Sequence, residues 1–104
     1  MPTNTLKGHT FEVNDEGFLT NRDQWSEELA AELAALVDVE LDDAHWAPIR
    51  FMRQDSARTG VTPTLRRLQT VGGFDVKELY RLFPGKPVKM MAWLAGLPKP
   101  VGCV

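Results

Sequence analysis

One cysteine is present in the 104-residue chain, Cys103, and it follows Leu97-Pro98-Lys99-Pro100-Val101-Gly102. Two prolines and a glycine keep this stretch from being helical. A structural cysteine packs in a core as a small hydrophobe, and a Pro- and Gly-rich end offers no core to pack in. The simplest reading is a thiol on an arm. Only the thiolate is a nucleophile, and a cysteine at its ordinary pKa of about 8.5 is a few per cent ionised at neutral pH. A carboxylate at Val104 pushes that pKa up, and no helix N-terminus can be placed beside Cys103 to pull it down. Such a thiol depends on basic side chains of the body or on a partner's pocket, which suits a carrier better than a stand-alone enzyme. Extended Pro-rich chain rises about 3.1 Å per residue, so Cys103 reaches roughly 20 Å from Gly96. Gly102 keeps bulk from the sulfur. The plain alternative is an incidental terminal thiol.

Other chemistry is poorly provided for. His9 and His45 are far apart and, with one cysteine, make no metal-ligand spacing. His45 beside Trp46 reads as a packing or capping residue. No Gly-rich phosphate loop or nucleophile elbow occurs, and the carboxylates fall on exposed helix faces. No cofactor is expected. One cysteine excludes an intramolecular disulfide framework and suits a reducing, cytoplasmic setting. The start of the chain lacks a basic-then-apolar leader, and the longest apolar run, Met90–Leu97, is far short of the roughly 20 residues that span a bilayer.

Charge is segregated. Residues 1–49 carry −9 and residues 50–104 carry +7. An anionic partner on the second half is one reading; a self-complementary fold is the other. Lys99 is placed to steer the arm or to stabilise an anionic sulfur, and Arg66, Arg67, Arg81, Lys86 and Lys89 form the candidate basic docking face. Arg66 and Arg67 before Gly72-Gly73 also suggest a helix-turn-helix, whose alternative use is in binding duplex DNA.

The elements that must position these residues are mainly helical. Thr10–Val13 and Gly17–Thr20 around Asn14-Asp15-Glu16-Gly17 predict a β-hairpin. Trp25, Leu29, Leu33 and Leu36 give one apolar face to a first helix, from Asn21 or Asp23 to about Leu36. Asp42 reads as the N-cap of a second, Asp43 to Arg58, with Trp46, Ile49, Phe51 and Met52 inward and Arg50, Arg53 and Arg58 exposed. Pro48 either kinks it or marks a later start. A third runs from Pro63, capped by Thr62, to about Thr70, a fourth from about Asp75 to Phe83, and a fifth from Pro87 to Ala95, ended by Gly96. Trp25 and Trp46 read as core, whereas Trp93 is placed to shelve the arm. The fold class is mainly α (α+β): a small helical bundle with a helix-turn-helix-like core, an N-terminal hairpin and a flexible arm, divided as a compact domain 1–96 and an arm 97–104. A monomer is expected.

Tyr80-Arg81-Leu82-Phe83-Pro84 and Ala95-Gly96-Leu97-Pro98-Lys99-Pro100-Val101-Gly102-Cys103-Val104 resemble the C-terminal signature of the DsrC/TusE family. Asp15-Glu16-Gly17-Phe18-Leu19, Gln24-Trp25-Ser26, His45-Trp46, Ile49-Arg50-Phe51 and Thr62-Pro63 extend the resemblance upstream. It implies a sulfur carrier that holds a transient persulfide on Cys103 and passes it on. It also implies partners: a donor complex of the TusBCD or DsrEFH kind and an acceptor such as the tRNA 2-thiouridylase, with sulfite reductase and tRNA as further contacts. DsrC proper has a second cysteine eleven positions earlier. Here that position is Ala92, so the resemblance points to a TusE-like, single-cysteine member acting in tRNA thiolation, with a single-cysteine carrier or regulator of dissimilatory sulfur metabolism as the alternative.

Overall fold

The computed structural model describes residues 3–6 and 9–101, with side-chain surroundings from Thr10 onward. Cys103, Gly102 and Val104 lie outside the described residues. Two strands, β1 (Thr3–Leu6) and β2 (His9–Glu12), precede five helices: α1 (Glu27–Leu36), α2 (Asp43–Thr59), α3 (Leu65–Thr70), α4 (Val76–Leu82) and α5 (Pro87–Leu94). Phe83, Leu29, Ile49, Met52, Leu68, Leu79, Met91 and Leu94, all essentially inaccessible, make the centre of the core.

The hairpin forms one step earlier than its sequence signal. β1 and β2 pair antiparallel from Thr3↔Glu12 to Leu6↔His9. The predicted turn is present: Asn14 Oδ1 accepts from the amides of Glu16 and Phe18, both at 3.0 Å, and Gly17 takes φ +87°. The returning segment, however, contributes a single bridge, Val13↔Leu19. Phe18 and Leu19 are both buried, and adjacent side chains of a regular strand point to opposite faces, so this segment serves the core rather than extending the ladder.

α1 begins later than predicted because two caps compete. Asn21 caps a 3-10 turn over Arg22–Gln24, and Ser26 Oγ then accepts from the Leu29 amide at 3.0 Å to start α1. Leu29 and Leu33 are buried as the spacing requires, but Leu36 is 62% exposed, which corrects its assignment to the inner face. α2 opens on Asp42 with a reciprocal box: the Asp42 carboxylate accepts from the Ala44 and His45 amides, and His45 Nδ1 accepts from the Asp42 amide at 3.2 Å. Nδ1 also lies 3.0 Å from Asp42 Oδ1, Nε2–H donates to the Leu82 carbonyl at 3.0 Å, and the ring meets Phe83 edge-on. His45 is therefore a capping and packing residue. α2 starts at Asp43 and runs unbroken through the fully buried Pro48, so the later start does not occur. α3 is capped by Thr64, not Thr62, and Pro63 is a fully buried core residue rather than the first of the helix.

α5 ends in a Schellman motif. The Leu97 amide donates to the Ala92 carbonyl at 3.0 Å, the Gly96 amide to the Trp93 carbonyl at 3.3 Å, and Gly96 takes φ +70°. A Cβ on Gly96 would lie 2.6 Å from Trp25 Cδ1 and 2.9 Å from Leu19 Cδ2. Gly96→Ala combines left-handed strain with overpacking, so we expect a loss of about 2–3 kcal/mol. Urea unfolding checks this: the midpoint falls with the slope unchanged, and an unchanged midpoint would refute the close approach.

Candidate functional site: the root of the terminal arm

The junction between α5 and the arm is held from two sides. The last carbonyls of a helix have no partner within it. Here Trp25 Nε1–H donates to the Leu94 carbonyl at 2.7 Å and Arg53 Nη1 donates to the Ala95 carbonyl at 2.8 Å. The Arg53 guanidinium also lies 4.1 Å from the centroid of the Trp25 ring, a cation–π contact. Burial and then the nearby charge of Arg22 depress the Arg53 pKa, but a guanidinium stays charged at any working pH. Arg53 is thus half-buried machinery of the junction, not the exposed cation its helical position suggests.

The arm itself is tied down well past this point. Leu97 is 1% exposed and belongs to the core. Thr62 Oγ1 donates to the Pro98 carbonyl at 2.8 Å, Lys99 Nζ pairs with Glu16 at 3.0 Å, and Pro100 is buried. Val101, by contrast, is 91% exposed. Over the described residues the chain leaves the body after Pro100, not after Gly96. Three residues separate Pro100 from Cys103, a reach of about 10 Å even fully extended.

A groove of about 310 Å³ opens beside the arm, floored by Phe18, Met90 and Trp93 and edged by Val37, Lys86 and Lys89. Glu16 lines it too and so belongs both to the groove and to the arm's ion pair. Trp93 accordingly sits next to the arm's tether, on the groove floor.

The other sequence-derived candidates separate. Arg67 grips Asp55, with Nε to Oδ2 at 2.9 Å and Nη2 to Oδ1 at 2.7 Å, while Arg58 reaches Oδ1 at 2.9 Å. Arg81 pairs with Glu78 on α4. Arg66 is exposed on α3. Of the seven site residues, Lys86, Lys89 and Lys99 fall near the groove, Arg66, Arg67 and Arg81 lie elsewhere, and Cys103 is outside the described residues. Among the described residues, no group of three His, Cys, Asp or Glu could hold a metal, and no helix is long and apolar enough to cross a membrane. Glu16, Thr62, Trp25 and Arg53 carry no sequence signal for an arm-holding role, because their partners lie from 36 to 83 residues away.

A family profile described as "DsrC like protein" matches residues 5–104. The chain belongs to the DsrC-like family. Within that family it is 40% identical over 103 residues to the dissimilatory-type sulfite reductase subunit gamma of Nitratidesulfovibrio vulgaris, covering 96% of each chain. It is 37% identical over 106 residues to the sulfurtransferase TusE of Salmonella paratyphi A, covering 95% of this chain and 97% of the relative. The NMR structure of Allochromatium vinosum DsrC superposes with a TM-score of 0.82 at 35% identity, covering 98% of this chain and 97% of the other. In this DsrC-like chain the position eleven before Cys103 is Ala92, which is fully buried in α5 and whose carbonyl is taken by Leu97.

The Asp55–Arg67 grip joins α2 to α3 and is open to test. Hydrogen bonding to Arg67, followed by that to Arg58, pulls the Asp55 carboxyl from 3.8 down to about 2, against the opposing effect of burial. A carboxyl more acidic in the folded state than in the unfolded one stabilises the fold above pH 4 and loses that contribution as pH falls from about 4 to 2. Urea midpoints should therefore drop across this window in the wild type, and part of that slope should vanish in Asp55→Asn. Arg67→Ala leaves a buried carboxylate with one exposed partner and should destabilise at neutral pH by about 3 kcal/mol.

Proposed function

We propose that this DsrC-like chain is a sulfur carrier whose working group is Cys103. The Cys103 thiolate attacks the outer sulfur of a donor persulfide, the donor's thiolate leaves, and Cys103 is left as Cys–S–SH. An acceptor thiolate then attacks that outer sulfur, becomes a persulfide itself and returns Cys103 to its thiolate. Sulfur–sulfur bonds are exchanged one for one, with no external oxidant and no cofactor, under the leaving-group rules of thiol–disulfide exchange. The observation that carries this is the full-length likeness to a TusE sulfurtransferase and a sulfite reductase gamma subunit, joined to a lone cysteine three residues beyond the arm's last buried anchor.

In the reading we favour, the chain works as TusE does by name, as a sulfurtransferase, in the cytoplasm and toward tRNA 2-thiouridine synthesis. Its donor is then a TusBCD- or DsrEFH-like complex and its acceptor the tRNA 2-thiouridylase. The lone thiol supports it, since Ala92 gives Cys103 no partner within the chain. The 40% identity to the gamma subunit, against 37% to TusE, supports a second reading, in which a one-cysteine carrier serves dissimilatory sulfur metabolism and meets sulfite reductase. Use of α3 as a DNA-reading helix is disfavoured: the helix has six residues, and Arg67 is spent on Asp55.

Incubation with a cysteine desulfurase and cysteine, followed by intact-mass measurement, tests the carrier role. The wild type gains one sulfur atom, removed by a reducing thiol, and Cys103→Ser gains none. A gain that persists in Cys103→Ser would overturn the proposal. Transfer of labelled sulfur onward to tRNA thiolation enzymes or to sulfite reductase separates the two pathways.

A further inference from the structure

The groove beside the arm shares one residue with the arm's tether, and this juxtaposition has a consequence for partners. Phe18, Met90 and Trp93 present an apolar floor, and Val37, 42% exposed, adds apolar surface at its edge. Such a contiguous apolar surface marks an interaction site more than an ordinary solvated face. Lys89 stands on its edge, and Lys99 reaches Glu16 at the same edge. Glu16 is the single carboxylate among the lining residues, and it is already engaged by Lys99. A partner segment with an apolar face and flanking carboxylates complements all of this.

We propose that the groove is the docking surface for an acidic, amphipathic segment of the sulfur-exchange partner, and that docking substitutes a partner carboxylate for Glu16 on Lys99 and so lifts the arm from the body. The inference rests on the sulfur-carrier reading for its purpose, though not for its geometry. Held at Pro100, Cys103 reaches about 10 Å from the surface; freed from Pro98 onward, the same chain reaches roughly twice as far. Beyond the buried Leu97 the tether is one hydrogen bond, one ion pair and the buried ring of Pro100. The ion pair is half-exposed, with Lys99 at 26% and Glu16 at 50%, and the Thr62–Pro98 hydrogen bond is solvent-exposed, so a carboxylate arriving with a desolvating apolar face outcompetes Glu16. Docking and arm release then happen together, and the persulfide is extended only where a recipient is present.

The test titrates the full chain, observed by amide and indole NMR, with a synthetic helical peptide that has a leucine face flanked by glutamates, and with the same peptide carrying lysines. The glutamate peptide should shift Phe18, Val37 and the Trp93 indole, and should move the Lys99 and Val101 amides in the direction that Glu16→Gln moves them without peptide. Lys89→Glu should weaken binding about tenfold, while Lys77→Glu, on the exposed face of α4, leaves it unchanged. Equal binding of the lysine peptide, shifts that avoid Trp93, or Lys99 and Val101 amides that stay still on saturation would each overturn the proposal. So would a concentration-dependent dimer in sedimentation that occupies the groove, since the occupant would then be a second copy. The mass gain at Cys103 is read separately, so failure of the groove and failure of the carrier role are distinguishable.

Discussion

The C-terminal end of α5 is the point on which the rest depends. A helix that stops inside a protein leaves carbonyls that must be satisfied, and here the Schellman turn at Gly96 takes two of them while Trp25 and Arg53 take the next two. These donors come from the turn before α1 and from the middle of α2, so the junction gathers three parts of the chain around one glycine. Trp25 can stand so close only because Gly96 has no side chain. The thiol-bearing arm therefore leaves from a rigid origin.

Magnitudes show where that arm can hinge. Burying a leucine is worth about 1.5–3 kcal/mol, and Leu97 is fully buried behind its own hydrogen bond to Ala92. An exposed ion pair contributes about 0.2–1 kcal/mol and an exposed hydrogen bond of the Thr62–Pro98 kind about 0.5–1.5. Those two contacts lie at Pro98 and Lys99, followed by the small buried ring of Pro100. A partner that lifts the arm works against those and leaves Leu97 in place, so the pivot falls between Leu97 and Pro98. A carrier needs both properties: a fixed origin aims the thiol, and a shallow hold keeps release from opposing transfer.

Much of the local architecture was legible because its causes are local. Asp42 and His45 sit three residues apart and cap the helix between them; Asp75, Gly60 and Gly96 end or begin helices by rules that need only neighbours. The misreadings share a cause of the opposite kind. Arg53 looks like a solvent-facing cation until the carbonyl of Ala95, 42 residues on, is brought to it. Thr62 looks like a cap until Pro98 arrives, and the arm looks free from Leu97 until Glu16, 83 residues earlier, meets Lys99. β1 is hidden for a different reason: Thr3-Asn4-Thr5-Leu6 has too little apolar alternation to announce a strand.

The segregation of charge along the chain takes on a different meaning in three dimensions. Glu27 meets Arg50 and Glu16 meets Lys99, so acidic first half and basic second half partly neutralise each other across the fold. Within the second half Asp55 absorbs Arg67 and Arg58, and Glu78 absorbs Arg81. What reads in sequence as a broad basic face is largely internal wiring. The cations left with no ion pair among the described residues include Arg66, Lys77 and Lys89, on three different helices. A nucleic-acid surface needs many cations along one stripe, and these are scattered. Lys89 lines the groove that also holds Glu16, the arm's ion-pair partner, which makes protein recognition at that groove the better use of the charge that remains.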